Sequence, residues 1–269
     1  MLYSQMQLNW FVVLIVAIVE GITEFLPVSS TAHIILTLKL LGVKTSAFIE
    51  FFEFFIQGGA ILVVLGLYYK KFMNDLKNGG RLLKLLFASF VTTAIFGLLF
   101  KKILPSAALH SLSTIGVTLA IIGVGFIVIE ALISHKKIQL SRTIEDLTLK
   151  HAILIGFVQS LAIVPGVSRS GAIILAMLLL GYKRIDAVEY SFMLGLPTIL
   201  AAIAYKSLEI NIFMLPANYI LLAFLGAILS YIFAYLAVKW LLKYVKNHDL
   251  KIFGWYRILL AGIILVVKS

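Results

Sequence analysis

Hydrophobic positions in this chain gather into long, nearly unbroken runs, not into the alternating or 3.6-residue stripes of a water-soluble fold. Runs at 49–69, 82–100, 113–133, 188–205, 218–241 and 253–267 each approach the roughly 20 residues a helix needs to cross about 30 Å of hydrocarbon. Two further apolar stretches, 8–42 and 151–181, are interrupted at their middles by Pro27 with Ser29, Ser30 and Thr31, and by Pro165-Gly166 with Ser168, Arg169 and Ser170. Proline ends or kinks a helix, and backbone groups freed by a break cannot be left facing lipid. Each broken stretch therefore reads as a re-entrant helix-turn-helix that enters and leaves on one side. The expected fold class is an all-α polytopic membrane protein of six transmembrane helices plus two re-entrant hairpins.

The basic residues test this count. With six spans and two re-entrant stretches, fifteen Lys and Arg from Lys70 to Lys251 collect on one side and six, from Lys39 to Lys268, on the other, while Arg169 and Arg257 stay in or near runs. The positive-inside rule makes the first side cytoplasmic and puts both termini outside. Letting one broken stretch span would invert every later loop and scramble the bias.

A repeat at an offset of 139 residues lays Ala32 to Gly42 over Gly171 to Gly181 and pairs Lys44 with Lys183, Glu50 with Glu189 and Glu20 with Gln159. Three spans, an odd number, separate the copies, so the second is expected upside down relative to the first, as in the inverted repeats of many transporters. The expected organisation is one membrane domain over 1–269, with repeat one at about 8–69 and repeat two at about 151–205.

Composition agrees with the pattern: 62% hydrophobic, 13% charged and a mean hydropathy of +1.07 lie outside the range of soluble domains. The net charge of +11 follows from clusters between apolar runs, with no aromatic-interleaved basic face, so nucleic acid is not an expected partner. No cysteine is present, which excludes disulfides and thiolate metal sites. The first apolar run lacks a basic leader and carries Glu20 and Glu24, so it is read as retained, not as a cleaved signal.

The two breaks hold the chemistry. Glu20 and Glu24, four apart, share one helix face, and two carboxylates in an apolar helix need a metal ion, a shared proton or Arg169 to offset their burial. Ser29, Ser30 and Thr31 cap the following half-helix, and His33, three residues after Ser30, is spaced to act as its base. At the second break, small residues, hydroxyls, free N–H groups and Arg169 make a phosphate cradle. Carboxylates beside a phosphate imply a hard divalent cation, Mg²⁺ or Ca²⁺. The inferred ligand is a lipid-linked phosphate or diphosphate.

Glu20-Gly-Ile-Thr-Glu24-Phe-Leu-Pro-Val-Ser-Ser30-Thr-Ala-His33, Phe52-Glu53-Phe-Phe-Ile-Gln57-Gly-Gly59 and Pro165-Gly-Val-Ser168-Arg169-Ser170-Gly closely resemble the signatures of the undecaprenyl-diphosphatase family, the bacitracin-resistance proteins. The resemblance runs from about Leu8 to the last span. It implies a membrane hydrolase that converts undecaprenyl diphosphate to the monophosphate and inorganic phosphate, recycling the lipid carrier of envelope glycan synthesis at the outer face of the plasma membrane. It further implies Glu20 and Glu24 as metal or acid/base carboxylates, Ser30 as nucleophile with His33 beside it, and Arg169, Ser168, Ser170 and Ser29 as diphosphate ligands. Ile173, where such proteins often carry Thr, and Ala32, in place of a common Gly, depart from the pattern.

Expected partners are the polyprenyl diphosphate and membrane lipids; a homodimer is left open. A transporter or flippase of polyprenyl phosphate is the rival reading, because broken helices in inverted repeats also build alternating-access proteins. A type 2 phosphatidic-acid phosphatase is disfavoured because its Pro-Ser-Gly-His motif is absent.

Overall fold

The computed structural model describes residues 9–44, 46–105, 111–208 and 217–268. Leu8, where the first repeat and the resemblance begin, lies outside them. Among the described residues the apolar runs fold as helices: α1 Trp10–Thr23, α2 Ser30–Leu40, α3 Ala47–Lys77, α4 Arg81–Ile103, α5 Leu112–Ser134, α6 Leu149–Ser160, α7 Arg169–Leu179, α8 Arg184–Ser207, α9 Ala217–Tyr244 and α10 Lys251–Lys268. Short 3₁₀ turns at Ile144–Asp146 and Leu161–Ile163 complete the regular structure, with an isolated bridge between Arg142 and Tyr182.

Helix ends follow local chemistry. The Ser46 side chain accepts from the Ile49 N–H at 3.2 Å and starts α3. The polar tail Lys70 to Lys77 continues α3 beyond its apolar run. Gly79 and Gly80, at φ 92° and 68°, then turn the chain, and the Asp75 carboxylate takes the free Leu82 and Leu83 N–H groups of α4, each at 2.9 Å.

Helices α3, α4, α5, α8 and α9 are long and apolar enough to cross a membrane. α10 has 18 residues but carries Lys251, Arg257 and Lys268. α1, α2, α6 and α7, of 14, 11, 12 and 11 residues, are each shorter than the span of about 20 residues. Both interrupted stretches are thus pairs of half-length helices. Outward faces are apolar: Ile95 and Leu99 on α4, Val117, Ile121, Val124 and Val128 on α5, and Leu221, Phe224, Ile228 and Leu236 on α9 are exposed. Helical stripes of this kind need lipid as their solvent.

Inside, α3 packs between α8 and α9, α1 lies on α9, α4 on α6, α5 on α10, and α7 on α8. Small residues set the closest crossings. A Cβ at Gly59 would fall on the Ala227 backbone of α9, and one at Gly156 on the Ser89 backbone of α4. These crossings bring the two breaks face to face, with α3, α4 and α8 walling the space beside them.

Candidate active site

A chain that breaks its helix within an apolar bundle must find donors for the freed carbonyls, and here each named carbonyl has one. At the first break, Leu26 accepts from the Ser170 hydroxyl at 3.1 Å, Pro27 from Arg257 Nη1 at 3.0 Å, and Ser29 from His33 Nδ1 at 2.7 Å. At the second, Pro165 accepts from the Thr118 hydroxyl at 2.6 Å, while Gly166 and Val167 both accept from Arg257 Nη2, at 2.5 and 3.0 Å. Arg257, 0% exposed, therefore ties the two breaks together from α10. Its buried charge is met by carbonyl dipoles.

The breaks also share a backbone conformation. Ser29 (φ 73°, ψ 91°) and Ser168 (φ 69°, ψ 119°) each hold a left-handed conformation immediately before an 11-residue helix. For a residue with a Cβ this costs about 1–3 kcal/mol and persists only where the surroundings over-determine it. The Ser168 hydroxyl caps α7 by accepting from the Gly171 N–H at 3.2 Å. The Ser29 side chain makes no cap bond and lines the cavity beside it.

That cavity, of about 630 Å³, is bounded by both breaks and by α3, α4 and α8. Glu24, Ser29, Ser30, Ser168 and Arg169 all line it, although the first three and the last two lie far apart along the chain. Glu24 is the link. Its Oε2 accepts from the Ser30 hydroxyl at 2.5 Å and its Oε1 from Arg169 Nη2 at 3.1 Å. Arg169 Nη1 donates to the Ser191 carbonyl at 2.9 Å, while its buried Nε has no partner. Gly195 makes room for this guanidinium: a Cβ there would collide with it. Glu20, 1% exposed, lies behind Glu24 with a partnerless Oε1, and its charged neighbours are Glu24, Glu53 and Arg169.

Three expected site residues face elsewhere. His33 does not pair with Ser30. A carbonyl can only accept, so Nδ1 carries the proton it gives to Ser29, and in the neutral ring Nε2 accepts from the Tyr256 hydroxyl at 2.6 Å. Both ring nitrogens are spent, and the carboxylate holds the Ser30 hydroxyl in the imidazole's stead. Ser170, 1% exposed, donates to Leu26 and so stitches one break to the other. Glu20 is outside the lining of the cavity.

Several lining residues were not singled out for the site from sequence: Glu53 and Gln57 on α3, Thr93 and Lys101 on α4, Gln159 on α6 and Thr198 on α8. Glu53 and Gln57, four apart in an apolar run, carried the same signal as Glu20 and Glu24. So did Arg257, a charge inside an apolar helix. Thr93, Gln159 and Thr198 are joined through Gln159 Nε2, at 2.6 Å to Thr93 and 3.4 Å to Thr198, and nothing in their spacing announces that.

The family model described as "Bacitracin resistance protein BacA" matches residues 13–263. The chain belongs to this family. Among curated relatives, a protein named undecaprenyl-diphosphatase from Aquifex aeolicus is 40% identical over 247 residues, covering 92% of this chain and 94% of its own. Those of the same name from Lacticaseibacillus casei and Enterococcus faecalis are 39% and 38% identical over 271 and 268 residues, covering 94% and 96% of this chain and 96% of each relative. With five span-length helices and outward apolar stripes, this member of the family is a multi-pass membrane protein.

Proposed function

We propose that the protein hydrolyses a polyprenyl diphosphate, undecaprenyl diphosphate above all, to the monophosphate and inorganic phosphate, and by regenerating a carrier lipid for envelope glycan synthesis confers bacitracin resistance. The name of its relatives supports the substrate. The observation that carries the chemistry is the continuous chain Ser30–Glu24–Arg169 on the wall of a cavity within an apolar bundle.

In this reading the Ser30 oxygen attacks the terminal phosphorus while its proton passes to Glu24 Oε2, across a hydrogen bond already made. The bond between that phosphorus and the bridging oxygen breaks, and the lipid monophosphate leaves with the bridging oxygen. Water then attacks the phosphoserine: the bond from phosphorus to the Ser30 oxygen breaks, the proton held on Glu24 returns to that oxygen, and the proton of the attacking water leaves with the inorganic phosphate. Arg169, with its partnerless Nε, and the hydroxyls of Ser29 and Ser168 hold phosphoryl oxygens, fixing the line of attack. His33, Ser170 and Arg257 keep the two breaks in register through the carbonyls they satisfy.

A divalent cation, Mg²⁺ or Ca²⁺, fits the donors. Glu20 and Glu24 are adjacent hard oxygen ligands, and Glu20 Oε1 is buried without a partner. Among the described residues no group of three or more His, Cys, Asp or Glu could hold a metal. Bound by Glu20 and Glu24, the cation would neutralise the diphosphate against the carboxylates.

The architecture of this reading is one membrane domain with six crossing helices, α10 being the sixth, and two opposed re-entrant hairpins, α1–α2 and α6–α7, in an inverted repeat. Four observations support it. Ser29 and Ser168 share their left-handed backbone at the 139-residue offset, as do Gly42 and Gly181. α1 packs on α9 as α6 packs on α4. α3 and α8 pair with each other, and so do α5 and α10. Finally, α3 and α8 run antiparallel with an ion pair at each end, Lys206–Glu50 and Lys71–Glu189, both at 2.8 Å. The cavity then opens to the extracytoplasmic side, with Lys101 and Tyr205.

Phosphate release from farnesyl or undecaprenyl diphosphate by purified protein in detergent with Mg²⁺ tests the reading. Background release by the wild type, with persisting movement of lipid phosphate in liposomes, would assign the chain to the transporters instead.

A further inference from the structure

The cavity has an acidic and a basic half whose charges are unequally committed. Four of its lining side chains are acids or bases of the Glu, Lys or Arg type: Glu24, Glu53, Lys101 and Arg169. Arg169 is already engaged by Glu24 and by the Ser191 carbonyl. Among the described residues Lys101 makes no ion pair with a carboxylate; its ammonium rests over the Tyr205 ring, 4.8 Å from the centroid. A diphosphate entering beside two carboxylates needs cationic charge beyond the Arg169 guanidinium, and Lys101 is the uncommitted source among the described lining residues.

Its position suits that role. On α4, Thr93, Ala94, Gly97, Leu98 and Lys101 line the cavity at intervals of 1, 3, 1 and 3, which is one continuous helix face. On the opposite wall, Thr198, Ala202 and Tyr205 of α8 do the same. Both stripes pass from hydroxyls, joined through Gln159, through small residues, to an end where Lys101 meets Tyr205. Lys101 is exposed and lies in the last turn of its helix, where the dipole favours a cation.

We infer that Lys101 is the headgroup-capturing residue of the cavity: its ammonium leaves the Tyr205 ring to take a phosphate oxygen of the incoming lipid diphosphate. Lys101 thereby sets the preference for a diphosphate over a monophosphate headgroup. Cation–π contact with an exposed ring is weak, and a charge-assisted hydrogen bond to a phosphate oxygen is stronger, so the exchange of partners is favourable. Tyr205 is the resting place of the charge. This rests on the diphosphatase reading for its substrate, but not for its test.

The test has two arms, each with Lys101→Met, Lys101→Arg and wild type in detergent, at a thermal midpoint shared by all three. In the first, KM and kcat for farnesyl diphosphate are measured across salt concentrations. Lys101→Met is expected to raise KM about fivefold or more, lower kcat less than that, and flatten the salt dependence of kcat/KM, with Lys101→Arg near wild type. In the second, the thermal shift given by farnesyl diphosphate and by farnesyl monophosphate is read in a Ser30→Ala background. Lys101→Met is expected to lose most of the diphosphate's advantage. Wild type without hydrolysis would sink the diphosphatase reading, and the second arm would still decide on Lys101. Unchanged KM and salt slope, or an unchanged diphosphate advantage in the Ser30→Ala background, would overturn the inference.

Discussion

The Ser30 hydroxyl lies 2.5 Å from Glu24 Oε2, so the hydroxyl is oriented by a carboxylate six residues before it, across a proline break, and His33 is left to other work. The same carboxylate accepts from Arg169 through its second oxygen. One side chain therefore couples the two breaks and holds the Ser30 hydroxyl.

Ser30→Ala and Glu24→Gln should each lower kcat for prenyl diphosphate hydrolysis at least about 100-fold, the scale of a lost nucleophile or proton acceptor. Phosphate release under saturating substrate measures this. Combining the two should cost little more than either alone, since they act as one unit. A Ser30→Ala variant with wild-type kcat would make water the attacking group.

His33 is expected to behave as a positioning residue. Tyr256→Phe removes the hydroxyl from Nε2 and should have a small effect, about 1 kcal/mol of stability or less. His33→Ala leaves the Ser29 carbonyl without its side-chain donor and should lower kcat less than Ser30→Ala does. Were the imidazole the base, His33→Ala would match Ser30→Ala in kcat and would remove an ascending limb from the pH–rate profile; neither is expected.

Arg257 should matter to folding out of proportion to its distance from the substrate. Arg257→Met removes the donors of Pro27, Gly166 and Val167 at once, and a loss of about 3 kcal/mol or more is expected. Thermal unfolding in detergent reads it, and Arg257→Lys should recover part by keeping the charge but not the fork. A midpoint unchanged in Arg257→Met would mean the breaks hold themselves.

Removal of divalent cations with a chelator should abolish hydrolysis, and Mg²⁺ should restore it. Glu20→Gln should raise the Mg²⁺ concentration needed for half-maximal rate. Full activity in excess chelator would remove the cation from the mechanism.

Cysteines introduced singly at Lys102 and Lys137 should react with a membrane-impermeant reagent from opposite faces of intact cells and inverted vesicles. Labelling from one side would remove the six-span, inverted arrangement.

Much of the site was legible because membrane burial makes polar residues conspicuous. Glu20, Glu24 and Arg169 stand out in apolar runs, and the cost of a charge in hydrocarbon is enough to ask for partners. The half-helices were legible for the same reason, since Pro27 and Pro165 interrupt runs otherwise long enough to cross. Arg257 carried the same signal, but its partners are carbonyls of residues 27, 166 and 167, and carbonyls leave no mark in a sequence. The pairing of His33 went unread because helical spacing offers Ser30 and Ser29 alike, and only the left-handed turn at Ser29 decides which group the imidazole meets.

The sequence by itself determined that the chain is helical and built for lipid, where its helices break, and which side chains carry charge or hydroxyls at the breaks, because run length, proline and desolvation act locally. The tertiary structure alone decided that Glu24, not His33, holds Ser30, that Ser170 and Arg257 bind backbone, and that Lys101 and Tyr205, from two different walls, meet at one end of the cavity. Those outcomes depend on helix crossings such as Gly59 on Ala227 and Gly156 on Ser89. Such crossings fix which distant surfaces meet, and spacing along the chain does not contain that information.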